Sequence, residues 1–179
     1  MLQLPPLLSW SSLHPLLIHF PIALLLVFPV FIVIGASLSP AKGRPYLSTA
    51  LILLLLGTAS LFFAVQTGEA ASHFVDRTPP VAALLKSHQA LATETRDVFV
   101  TLSVIGLGVF LFPPLLGKER QLFSRVLPLS FLVFYAVGII FLVNTADRGG
   151  RMVHELGVHA MISPTTEKPA ASPGNPTPE

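Results

Sequence analysis

The chain has 179 residues, of which 52% are hydrophobic and only 11% charged, and its mean hydropathy is +0.72. That composition cannot cover a water-facing surface, which excludes an ordinary soluble globule, and a net charge of +2 is too small for a nucleic-acid footprint. With no cysteine there are no disulfides, no thiolate metal sites, no cysteine nucleophile and no covalent c-type haem attachment.

Long apolar runs organise the sequence. Four of them are read as membrane spans, at about 15–38, 46–66, 95–112 and 122–143, which places both termini on one side. The first span contains Pro21 and Pro29, and neighbouring helices must satisfy the carbonyls that these prolines leave without an N–H. The second carries a stripe of small residues, Gly57, Ser60, Ala64, Thr67, Gly68 and Ala71, suited to close packing in lipid, and it continues toward His73. The third helix starts early. Thr78 is its N-cap candidate, Pro79 and Pro80 suit its first turn, and Val81, Leu84, Leu85, His88, Leu91, Ala92, Thr95, Val98 and Phe99 recur at helical spacing. Lys86, Gln89, Thr93, Glu94, Arg96 and Asp97 take the opposite face. At about 1.5 Å per residue this helix is longer than a hydrocarbon core of about 30 Å. The expected fold is an all-α integral membrane four-helix bundle with an extramembrane helical extension between helices 2 and 3. It occupies residues 1–162. Residues 163–179, rich in Pro, Ser, Thr and Gly, read as a disordered tail.

Lys42, Arg44, Lys118, Arg120 and Arg125 concentrate in the two short loops, with Glu119 as their only acid, so those loops are expected to be cytoplasmic and both termini external or periplasmic. All six histidines then fall on the external side. Neutral imidazole is a common metal ligand and the usual axial ligand of haem b. His19, within the first turns of a membrane helix, and His88, on the apolar face of its amphipathic helix, are the candidate cofactor ligands. His14 and His73 are the candidate further donors if the group is a bare metal ion. For His19 and His88 the alternative role is packing against a backbone carbonyl, and for His14 a place at a helix start, while His73, His154 and His159 lie in polar surroundings where a solvated surface is the default. Arg148 and Arg151, flanking Gly149 and Gly150, are candidates for an anion or a lipid headgroup. No Walker, GxSxG, HExxH or CxxC motif is present, so no enzyme is expected.

His14-Pro15-Leu16-Leu17-Ile18-His19-Phe20-Pro21 resembles the HPxxxHFP opening of a bacterial membrane family, domain of unknown function 2231. Thr67-Gly68-Glu69-Ala70 is similar to that family's TG segment, His88 to its histidine near the third helix, and Asp147 to Val158 to its closing motif. The chain departs where the family has a histidine and this sequence has Leu156, and where the family has an aromatic and this sequence has His154. The resemblance implies a four-helix membrane bundle without an established reaction. Relatives joined to cytochrome-c-like domains imply redox work at the periplasmic face. The expected function is therefore a haem- or metal-binding redox subunit of an electron-transfer complex in the bacterial inner membrane. A cofactor-free accessory subunit of a larger membrane complex is the alternative. The lipid bilayer and other subunits are the expected partners, and nucleic acid is not.

Overall fold

A computed structural model describes residues 9–115 and 125–159. Among these the chain is all-helical. A 3-10 turn, Trp10–Leu13, leads into α1 (His14–Leu17), α2 (His19–Ser37), α3 (Pro40–Ser72), α4 (Pro79–Leu115) and α5 (Leu127–His154). The expected tail and the basic loop holding Lys118 and Arg120 lie outside the described residues.

Prolines set several of these boundaries. Pro15 opens α1, Pro40 opens α3 and Pro79 opens α4, positions where a missing N–H costs no helical bond. Between α1 and α2 stands a single residue, Ile18, and Pro21 leaves the Leu17 carbonyl without its usual amide partner. At the far end Gly157 takes a positive φ of 65°, a backbone conformation that favours glycine, and the Val158 N–H turns back to the Met152 carbonyl.

Each of the four long helices packs on two others: α2 on α3 and α5, and α4 on α3 and α5. Leucines seat on glycines around this ring. Added Cβ atoms at Gly57, Gly106 and Gly138 would come within 2.6–2.8 Å of Leu25, Leu54 and Leu102, each on the preceding helix. Such close approach substitutes for the hydrophobic drive that lipid removes. The core between the helices holds Leu25, Phe28, Ile32, Leu54, Phe99, Phe131 and Tyr135. Val104, Val133, Phe134 and Ile140 are among many large apolar side chains left exposed, as a surface facing hydrocarbon requires.

Three helical stretches among the described residues are long and apolar enough to cross a membrane: Trp10–Ser37, Pro40–Ser72 and Leu127–His154. The expected span at 95–112 falls in α4, which is not one of them. Its apolar run begins only after Glu94, Arg96 and Asp97 and reaches the edge of the described side chains at Leu111. α3 and α4 contain 33 and 37 residues, so at about 1.5 Å per residue both exceed a bilayer core of about 30 Å. On α4 the expected inward face is the buried one, with Val81, Leu85, Thr95 and Phe99 inside and Lys86, Glu94 and Asp97 exposed.

Candidate functional site

The candidate site is built at the end of the molecule where α3 finishes and α4 begins, from two half-sites that repeat one arrangement. In the first, α1 lays the His14 ring on α3. His14 Nδ1 lies 3.0 Å from the Ala64 carbonyl and 3.2 Å from Thr67 Oγ1. Gly68 leaves room for the ring: an added Cβ would stand 2.8 Å from His14 Cε1. In the second, α4 lays the His88 ring on α5. His88 Nδ1 lies 3.0 Å from the Thr145 carbonyl, and an added Cβ at Gly149 would stand 3.2 Å from His88 Cε1. In both, the accepting carbonyl precedes the glycine by four residues, so the imidazole shares the carbonyl that the glycine amide already uses in its helix.

Threonines support both rings. Thr67 is fully buried, and its hydroxyl donates 2.8 Å to the Phe63 carbonyl, which leaves a lone pair toward His14. Thr145 joins α5 to α4 through a 2.7 Å hydrogen bond with Thr95, itself almost fully buried.

A backbone carbonyl can only accept, so each Nδ1 carries the proton. Each Nε2 is then left as a lone-pair donor, and neither makes a hydrogen bond among the described residues. His14 and His88 are also close enough to interact electrostatically. Burial holds His88 below the ordinary imidazole range. The Thr145 carbonyl partly opposes that shift and the positive charge of Arg148 adds to it. His88 is therefore neutral and competent as a ligand at pH 7.

The other sequence candidates lie elsewhere. His19, expected opposite His88, is exposed on α2, and the imidazole that the fold brings toward His88 is that of His14. His73, at the end of α3, is exposed, as are His154 and His159. Arg148 and Arg151 part company. Arg151 is exposed and bonded to both carboxylate oxygens of Glu155, at 3.1 and 3.0 Å. Arg148 is half-buried against α4, with Nη1 3.1 Å from the Ser87 carbonyl. Among the described residues, no three His, Cys, Asp or Glu side chains cluster closely enough to hold a metal ion.

Thr145 escaped the sequence reading, and so did the part played by Ala64, which enters only through its backbone. The available signal was a threonine just past the end of an apolar run and a glycine one turn later.

The sequence profile of a family described as a predicted membrane protein, domain of unknown function 2231, matches residues 11–161. No curated protein and no solved structure gives a significant match.

Proposed function

The chain belongs to that membrane-protein family, and from this premise we propose that it is a small haem-binding redox subunit, working at the external face of the bacterial inner membrane within an electron-transfer complex. The observation that carries this reading is the pair of imidazoles, each with Nδ1–H on a backbone carbonyl and Nε2 unbonded. That hydrogen bond is the usual outer support of a metal-bound histidine, fixing its tautomer and ring orientation. Haem is favoured over a bare ion by ligand count. The porphyrin supplies four nitrogens, so two imidazoles complete the coordination, whereas a bare ion calls for a third or fourth side chain.

The test is a reduced-minus-oxidised absorption spectrum and a metal analysis of the protein purified in mild detergent, repeated for His14→Ala, His88→Ala and His19→Ala. The two-histidine site requires a cytochrome spectrum that is lost or altered in the first two variants and kept in the third. Loss confined to His19→Ala would restore the pairing of His19 with His88. A colourless, metal-free protein would leave the accessory-subunit reading in front. That second reading has its own support, since both rings are packed on glycines and each is tied through Nδ1 to a backbone carbonyl.

A further inference from the structure

Arg148 is the half-buried cation beside the histidine pair. Its Nη1 donates to the carbonyl of Ser87, the residue before His88, and it precedes Gly149, whose backbone lies against the His88 ring. The guanidinium is thereby anchored next to one of the two imidazoles. Arg96 and Arg151 are paired with Asp97 and Glu155, yet Arg148 has no acid partner among the described residues. Of its five N–H donors one is used on Ser87. A cation drawn out of water without a counter-ion is complementary to an anion, and the planar guanidinium fork matches a carboxylate in particular.

We propose that Arg148 receives a carboxylate carried by the ligand held between His14 and His88, so that the site selects an acid-bearing porphyrin over its neutral ester. This rests on the haem reading above and names the group that the site recognises beyond the iron. Arg151, turned outward onto Glu155, takes no part.

The experiment titrates cofactor-free full-length protein in detergent with iron protoporphyrin and, separately, with its dimethyl ester, following the absorption change. The wild type is expected to bind the diacid about tenfold or more tightly than the diester, the scale of a charge-assisted pair. Arg148→Gln should bind both forms with equal, weaker affinity, and Arg148→Lys should keep part of the preference. Equal affinities in the wild type, with binding still dependent on His14 and His88, would overturn the role of Arg148 and leave the haem site standing. No binding of either form, or binding indifferent to both histidine substitutions, would overturn the two readings together. The wild-type comparison decides the matter even if an arginine variant fails to fold.

Discussion

The two glycines under the imidazoles differ in how much room they leave, and that difference is measurable. In a helix interior, Gly→Ala ordinarily stabilises by roughly 1 kcal/mol. At Gly68 the new methyl would meet His14 Cε1 at 2.8 Å and Nδ1 at 3.2 Å, so a rigid ring must move and its bond to Ala64 is lost. At Gly149 the nearest approach is 3.2 Å, which a shift of a few tenths of an ångström relieves. Gly68→Ala is thus expected to lower the melting temperature and any haem content, and Gly149→Ala to change both less. Equal melting temperatures for Gly68→Ala and the wild type would show that His14 does not sit as tightly as the geometry states.

Proton linkage at His88 gives a second residue-scale expectation. Burial lowers its folded value beneath the unfolded value of 6.5. Above that value both states are neutral there and the group has no effect. As pH falls through it, the unfolded chain takes up a proton that the folded site resists, so stability declines. Melting temperatures at about pH 7.5 and 5.5 should separate more for the wild type than for His88→Gln. The same separation in both would assign the acid sensitivity to other groups.

Between helices, the most specific polar contact answers a proline. Pro29 has no N–H for the Leu25 carbonyl, yet α2 runs through it unbroken. Tyr135 of α5 donates its hydroxyl to that carbonyl at 2.7 Å, with its ring against Phe28 at a centroid distance of 4.3 Å. Removing the hydroxyl leaves a buried acceptor unpaired, so Tyr135→Phe should cost about 1–3 kcal/mol. Pro29→Ala restores the amide, and in that background the same change should cost much less. Denaturation of the four proteins measures the coupling, and additive costs would disconnect the two residues. The need for such a donor was legible in the sequence, because a proline inside an apolar run always frees a carbonyl. The identity of the donor was not, since Tyr135 lies 110 residues away and nothing local marks it. The inward face of α4 was legible for the opposite reason: helical periodicity is local, and burial of Val81, Leu85 and Phe99 follows from it.

At the scale of the molecule, the histidine pair and the short basic connection between α2 and α3 lie at opposite ends of α3. That the histidines gather at one end of the bundle follows from the alternating direction of successive helices, which the apolar runs made legible. Which two approach each other was not, because that depends on α1 breaking at Ile18 and laying His14 across α3 while His19 turns outward. At the other end, Lys42 and Arg44 lie in the first turns of α3, just after the two-residue connection from α2. Gly43 there packs so closely on the Gly35 carbonyl that a Cβ would collide with it. Arg125, just before α5, reaches the Leu38 carbonyl at 3.4 Å and brings a third basic residue to the same end. Short basic connections are retained in the cytoplasm. A reporter fused after Gly43 should therefore read as cytoplasmic, and one fused after Ser163 as external. The histidine pair then lies toward the outer surface, where an external electron carrier can reach it. The reversed readout would turn the molecule over, put His14 and His88 at the cytoplasmic face, and require the electron partner to be sought there.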